Sequence, residues 1–163
     1  MTLSRIRELA RDGLAEARRS VMALRLDQTR RAGLELALSQ LAERSTVPGG
    51  VTATFEGADI TTGLKPEHEH ELLRIAQEAV SNAVRHARPQ TVRISMKDES
   101  THWVLSVADD GVGMEQDPEV SAQQGFGLAS MRQRAGAIGG EWRIQSEPRR
   151  GTRVSVRMMK KAS

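Results

Sequence analysis

A carboxylate pair followed by two glycines stands at the end of an apolar stretch of this chain. Residues 103–108 alternate as a half-buried strand does, and Asp109, Asp110, Gly111 and Gly113 follow them. A carboxylate at a strand end can accept a hydrogen bond from a base, and nearby glycines let a phosphate approach the backbone. A simple Asp-Gly turn is the competing interpretation, so a functional one needs partners elsewhere in the chain.

A helix predicted over residues 66–87 supplies the first partner. Glu78, Asn82 and His86 are spaced by four and form a stripe along one border of its apolar side, with Arg85 next to Glu78. An amide oxygen and a carboxylate one turn apart suit Mg²⁺, which prefers oxygen ligands. An ordinary polar helix edge is the alternative. The core side of this helix is predicted to comprise Leu72, Ala76, Ala79, Ala83 and Ala87.

A second glycine pair strengthens the functional interpretation. Gly125 and Gly127 stand before a helix predicted over residues 127–138, and amides at a helix N-terminus attract anions. Each Gly-x-Gly alone is more often a turn, but two of them bracket the polar stretch 114–124, which is predicted to be a lid. Neither pair belongs to a P-loop or to a complete dinucleotide fingerprint.

The remaining elements follow from hydrophobic periodicity and from glycine and proline punctuation. Beyond those already described, helices are predicted over 3–24 and 29–44, and strands over 51–56, 92–97, 103–108, 142–144 and 154–158. The strands at 92–97 and 103–108 read as an antiparallel hairpin. Clean alternation leaves one face of each strand for solvent, which predicts a two-layer α/β sandwich. Its sheet is mostly antiparallel and is covered by helices on one face.

Composition excludes several classes of protein. Aromatic residues make up 2% of the chain and cysteine is absent, so the core is aliphatic and there are neither disulfides nor thiol chemistry. No apolar run approaches the ~20 residues of a membrane span. The net charge is +3, with basic and acidic side chains interleaved and few aromatics for stacking. We therefore expect neither nucleic-acid binding nor membrane contact by this chain.

The first segment is predicted to be separate from the sandwich. Apolar residues between Leu3 and Leu24 step by three and four, the spacing of a helix that packs against other helices. A plain docking helix is the alternative interpretation. We expect residues 1–26 to belong to a helical bundle and residues 27–163 to form the globular domain.

In combination, these motifs resemble a known family. Residues 74–87 (RIAQEAVSNAVRHA) are similar to the asparagine-box helix of bacterial two-component sensor histidine kinases. Residues 109–114 (DDGVGM) and 125–134 (GFGLASMRQR) resemble the two glycine boxes, and Gly151-Thr152 matches the closing Gly-Thr. The short lid is similar to that of the nitrate-sensor and DesK-type subfamily. Residues 1–26 resemble the second helix of its dimerisation hairpin. The fold implied is the Bergerat sandwich, shared with gyrase and MutL.

The resemblance implies ATP and Mg²⁺ as cofactors and assigns roles to residues. Asp109 would accept a hydrogen bond from the adenine amino group, with Thr152 and a water assisting. Asn82 would bind Mg²⁺, and Glu78 would order the metal shell, through water, or help to deprotonate the accepting imidazole. The catalytic residues implied are Glu78 and Asn82. The residues implied to contact ATP are Asn82, Arg85, His86, Asp109, Gly111, Gly113, Gly125, Gly127, Leu128 and Thr152.

Three departures from the family pattern matter. Arg85 stands where lysine is commoner. Asp110 stands where asparagine is usual and is expected to add negative charge beside the nucleotide. No histidine precedes His68, so the acceptor motif of the family is absent. We expect part of a larger cytoplasmic kinase that binds Mg-ATP without phosphorylating itself. Its expected partners are a response regulator and the histidine-bearing hairpin of the parent kinase, a homodimer at full length.

Two other functions share this pattern. A non-catalytic module that changes shape on binding ATP would keep the same site. An anti-sigma-factor-like serine kinase would have the same fold, but it would not need the helix predicted over residues 3–24, which argues against it.

Overall fold

The computed structural model describes residues 33–57, 64–118, 121 and 125–160. The helices and strands in these ranges are, in chain order, α1 (Gly33–Ser45), β1 (Thr52–Glu56), α2 (Pro66–Asn82), its π-helical continuation (Ala83–Ala87), β2 (Thr91–Asp98), β3 (His102–Asp109), α3 (Phe126–Ala137), β4 (Glu141–Glu147) and β5 (Gly151–Met159). The helix predicted over 3–24 and the boundary predicted near residue 26 lie outside the described residues. So does part of the predicted lid, and all three stay predictions.

The five strands form one sheet in the order β1-β2-β3-β5-β4. Strands β1 and β2 pair in parallel, and every other pair is antiparallel. Val107 on the central strand β3 lies opposite Ile94 on β2 and Val154 on β5, so these side chains share one face. The predicted fold, a sandwich with a mostly antiparallel sheet, is confirmed.

The core lies between one face of this sheet and the helices. Because side chains alternate along a strand, every second residue of β2, β3 and β5 enters the core while its neighbours face outward. The side chains that are almost completely buried come from both layers: Leu38, Leu72, Ile75, Val92, Ile94, Met96, Leu105, Met131 and Val156. None of the helices in the described ranges is long and apolar enough to cross a membrane.

Helix α2 is the element that positions most of the predicted site. Pro66 occupies its first turn, as predicted, and the five residues predicted for its core side are all buried. Small alanines on that side let the helix axis approach the sheet closely. The predicted extent to residue 87 is confirmed, but the last turn differs in geometry, because residues Ala83–Ala87 form a π-helical turn. Arg88, in the left-handed conformation with φ 48°, then ends the helix before Pro89.

Candidate functional site

A cavity of about 330 Å³ opens between α2, the end of β3 and the start of α3. Its volume is at the lower end of the range typical of ligand pockets. Val107, Met131 and Val154 form an apolar wall, and Asn82, Asp109 and Thr152 supply polar atoms. The full lining comprises Ala79, Asn82, Ala83, His86, Ala87, Val107, Asp109, Gly113, Met114, Gly125, Phe126, Gly127, Leu128, Met131, Thr152 and Val154. The arrangement suits a flat apolar group with a polar edge.

The stripe predicted on α2 reaches this cavity only in part. Asn82 and His86 line it, and Glu78 is half-buried behind Gly127. Arg85 is exposed and outside the lining, and its Nε donates to the carbonyl oxygen of Ser81 at 3.4 Å. The predicted position of Arg85 beside Glu78 assumes α-helical rotation throughout and stays a prediction. The wider π turn changes the angle at which later side chains leave the helix.

Asp109 is half-buried at the edge of the cavity. Its Oδ1 accepts a hydrogen bond from the backbone N–H of Gly111 at 2.8 Å. Burial raises the pKa of this carboxyl, because leaving water disfavours the charged form. Hydrogen bonds from the backbone N–H groups of Gly111 and Thr152 act in the opposite direction, and the charge of Asp110 adds a smaller upward effect. Asp109 is therefore a hydrogen-bond acceptor whose charged form is destabilised by partial burial.

Asp110 has an anchoring role that the sequence did not predict. Its Oδ1 accepts the backbone N–H groups of Gln90 and Thr91 at 2.8 and 2.9 Å, and its Oδ2 accepts the Thr91 hydroxyl at 2.8 Å. These bonds lower the pKa of Asp110, and the bond from Thr91 N–H has the largest effect. Burial raises the pKa, but by less than that bond lowers it. Asp110 does not line the cavity, so its carboxylate anchors the start of β2. Its charge raises the pKa of Asp109, which lines the cavity.

The loop Gly111–Met114 is held from both sides. Val112 N–H donates to the carbonyl oxygen of Ala87 at 2.9 Å, and the Val112 carbonyl accepts from Arg149 N–H at 2.7 Å. A Cβ at Gly111 would overlap the Ala87 carbonyl, and one at Gly113, where φ is +68°, would overlap the Glu147 carbonyl. Both glycines of the first pair are therefore required by close backbone approach.

Gly127 lies directly over the acidic end of the α2 stripe. A Cβ there would lie 2.5 Å from Glu78 Oε1 and 3.1 Å from Asn82 Nδ2. The missing side chain thus leaves a cradle in which a carboxylate and a side-chain amide are both within reach. Within the described ranges no cluster of three acidic or histidine side chains is present. A carboxylate fits Mg²⁺ that keeps several waters and phosphate oxygens as ligands, and Asn82 would join it through its amide oxygen, because the amide nitrogen is a hydrogen-bond donor.

Ser146, which the sequence reasoning missed, joins the loop to Thr152. Its Oγ accepts Met114 N–H at 2.9 Å and lies 3.1 Å from the Gly151 carbonyl and 2.7 Å from Thr152 Oγ1. The alternation that puts Trp142 and Ile144 on the inner face of β4 also puts Ser146 there. A hydroxyl at the inner end of this strand is the signal that could have revealed it.

Comparisons with known proteins agree with this geometry. The family model described as histidine kinase-, DNA gyrase B- and HSP90-like ATPase matches residues 67–162. This range contains the whole cavity lining, and the chain belongs to this family of ATPases.

Two relatives of the chain are a sensor protein and a signal transduction histidine-protein kinase/phosphatase of bacteria. Sensor protein VraS of Staphylococcus saprophyticus is 36% identical over 111 residues, which are 68% of this chain and 30% of the relative. The signal transduction histidine-protein kinase/phosphatase UhpB of Salmonella typhimurium is 35% identical over 118 residues, 72% of this chain and 23% of the relative. The chain thus spans less than a third of either relative. The predicted nitrate-sensor or DesK-type subfamily stays a prediction.

Solved structures share the fold. The blue-light activated histidine kinase of Erythrobacter litoralis EL346 matches with a TM-score of 0.73 and 20% identity, over 90% of this chain and 49% of that one. The ATP binding domain of PrrB from Mycobacterium tuberculosis matches with a TM-score of 0.62 and 22% identity, over 80% of this chain and 96% of that domain. The predicted Bergerat sandwich is confirmed as the fold.

The cradle under Gly127 makes a prediction about two glycines of one helix. In Gly127→Ala the new methyl group must displace Glu78 and Asn82, so we expect the side-chain amide resonances of Asn82 to shift. Gly136→Ala is the matched control, because a Cβ there meets nothing within 4 Å. It should raise the free energy of unfolding by about 0.5–1 kcal/mol, the gain of alanine over glycine in a helix. Unmoved Asn82 resonances in Gly127→Ala would contradict the cradle.

Proposed function

We propose that this chain is the ATP-binding catalytic domain of a sensor histidine kinase. The observation that carries the proposal is that Asp109, Thr152 and Asn82 all line one cavity. Glu78 lies close to this cavity, behind Gly127. Membership of the ATPase family, and relatives named as sensor proteins and as a histidine-protein kinase, support it. The domain would act in the cytoplasm, where ATP is available.

The adenine base is proposed to lie against the apolar wall. Val107, Met131 and Val154 would contact its faces. The Asp109 carboxylate would accept a hydrogen bond from the adenine amino group, and Thr152, which lines the same cavity, would assist. A half-buried acceptor is selective because a base without a donor at this position would leave it unpaired.

The phosphates are proposed to lie toward the start of α3. Backbone N–H groups near Gly125 and Gly127 point from a helix N-terminus, where the helix dipole favours anions. Asn82 and Glu78 would hold Mg²⁺, Glu78 through water. When bound, Mg²⁺ neutralises the charge that builds up on the transferred phosphoryl group. His86 would contact ribose or phosphate, and Arg85 would reach the phosphates only by leaving its bond to Ser81.

The reaction proposed is transfer of the γ-phosphoryl group of ATP to an imidazole nitrogen, with ADP as the other product. The P–O bond to the β-phosphate breaks, a P–N bond forms, and the imidazole loses a proton. Glu78 would order the metal shell or assist that proton loss. The residues described here supply positioning and charge neutralisation, which carry most of the catalysis in phosphoryl transfer. The acceptor would be a histidine on the hairpin of the parent kinase, a homodimer, and a response regulator would take the phosphoryl group onward.

Asp109→Asn tests the adenine-reading role. Losing a charged acceptor should weaken ATP binding by about 1.5–3 kcal/mol, measured by calorimetry on the whole chain. Asp110→Asn is the matched control, because Asp110 bonds to Gln90 and Thr91 outside the cavity. It should leave ATP affinity nearly unchanged. Equal affinities of the wild type and Asp109→Asn would refute the role of Asp109.

The pH dependence of ATP affinity provides a second test of Asp109. Its pKa in the free protein is raised above the ordinary value by burial, and only the ionised form is a full acceptor. Affinity should therefore fall as the pH falls through this raised pKa, at a higher pH than for an ordinary aspartate. The advantage of wild type over Asp109→Asn should shrink as the pH is lowered from neutral toward the ordinary pKa range of aspartate. A constant advantage across this range would contradict the titration.

Phosphotransfer in trans distinguishes the kinase from the two other functions. The chain, γ-labelled ATP and a separate hairpin fragment that carries the acceptor histidine should yield acid-labile label on the hairpin. The chain alone should stay unlabelled, and Asn82→Ala should abolish transfer, because Asn82 is proposed to hold the metal. ATP binding without any transfer would favour the non-catalytic switch, and acid-stable serine phosphate would favour the serine kinase.

A further inference from the structure

The hydroxyl group of Ser146 contacts three polar atoms but has a single proton to donate. It stands near the end of β4 and lies 2.9 Å from Met114 N, 3.1 Å from Gly151 O and 2.7 Å from Thr152 Oγ1. Thr152 lines the cavity next to Asp109. Ser146 itself is not part of the cavity lining, so any influence on a ligand must pass through a neighbour.

Hydrogen-bond capacity determines which way these contacts run. A serine hydroxyl donates one hydrogen bond and can accept two. The Met114 N–H group can only donate to it, and the Gly151 carbonyl can only accept from it. The contact with Thr152 is then a hydrogen bond only if Thr152 is the donor. In this one arrangement all three contacts are satisfied, whereas a Ser146 proton directed at Thr152 would leave the Gly151 contact unmade.

We propose that Ser146 is a positioning residue that sets the direction of the Thr152 hydroxyl proton and thereby makes this part of the cavity an acceptor-only edge. The Thr152 hydroxyl donates its hydrogen bond to Ser146, so Thr152 Oγ1 offers only lone pairs to a ligand. The inference rests on the proposed function and adds a specificity determinant to it.

The consequence concerns which purines the cavity accepts. Thr152 and Asp109 both line the cavity, and Gly151, which precedes Thr152, packs directly against the Asp109 backbone, so the hydroxyl and the carboxylate belong to the same part of the cavity wall. Two adjoining acceptors favour an edge that carries an amino group and disfavour one that carries a carbonyl oxygen, whose lone pairs they would face unpaired. ATP has an amino group at position 6 of its base. Inosine triphosphate has a carbonyl oxygen there and a proton on N1, where ATP has a lone pair, so the two nucleotides differ at both of these edge positions.

The test compares the dissociation constants of these two nucleotides for the whole chain. In Ser146→Ala the Thr152 hydroxyl is free to rotate and to donate to a carbonyl oxygen. We expect the preference for ATP over inosine triphosphate to fall by roughly threefold to tenfold, the worth of one hydrogen bond. Ser146→Thr, which restores a hydroxyl, should keep the wild-type preference. Ser155→Ala is the matched control, since Ser155 pairs with Ser106 on the outward face of the sheet. This variant should also keep the wild-type preference for ATP.

A double-mutant cycle separates this role from simple support of the loop. If Ser146 acts through Thr152, then adding Ser146→Ala to Thr152→Val should not change the preference further. Loss of the hydrogen bond to Met114 N–H alone would weaken the binding of both nucleotides by the same factor. An unchanged preference in Ser146→Ala, or a change that persists on the Thr152→Val background, would overturn the inference. Tight ATP binding by the wild type in the same experiment would leave the proposed function standing.

Discussion

One backbone hydrogen bond, from Val112 N–H to the carbonyl oxygen of Ala87, joins the two walls of the cavity. It ties the residues after β3 to the last turn of the helix that carries Asn82. At 2.9 Å it leaves no room for a side chain at Gly111. Because the Val112 carbonyl accepts a hydrogen bond from Arg149 N–H, the β4–β5 turn is held against the same loop. The Asp109 carboxylate and the helix that carries Asn82 thus have a defined separation.

Two neighbouring aspartates show how strongly position within a strand end decides chemistry. Alternation sends the side chains of Asp109 and Asp110 to different sides. Asp109 enters the cavity, where burial raises its pKa, and Asp110 meets the N–H groups of Gln90 and Thr91, which lower its pKa. The first is positioned to bind a ligand and the second to hold a strand. Asp110 also holds the start of β2, a role that the sequence pattern did not predict, while its charge raises the pKa of Asp109.

Much of the fold and site follows from local patterns. The helix that carries Asn82, the hairpin that ends in Asp109, and the glycine pairs could be predicted because periodicity and punctuation report short-range geometry. The positions of Arg85 and Ser146 could not. Arg85 depends on a local change from α to π rotation, which no spacing of residues signals. Ser146 depends on contacts with Met114 and Thr152, which lie on other segments of the chain.

By itself, the sequence determined the element order, the buried side of each element and the residue types available for chemistry, because hydrophobic periodicity and backbone preferences act over a few residues. The tertiary structure alone decided which of those residues share a cavity, that Gly127 packs closely against Glu78 and Asn82, and that Asp110 bonds to the start of β2. The physical reason is that these outcomes depend on approach distances of a few ångströms between segments far apart in the chain. Such distances arise only when the helices and the sheet pack together.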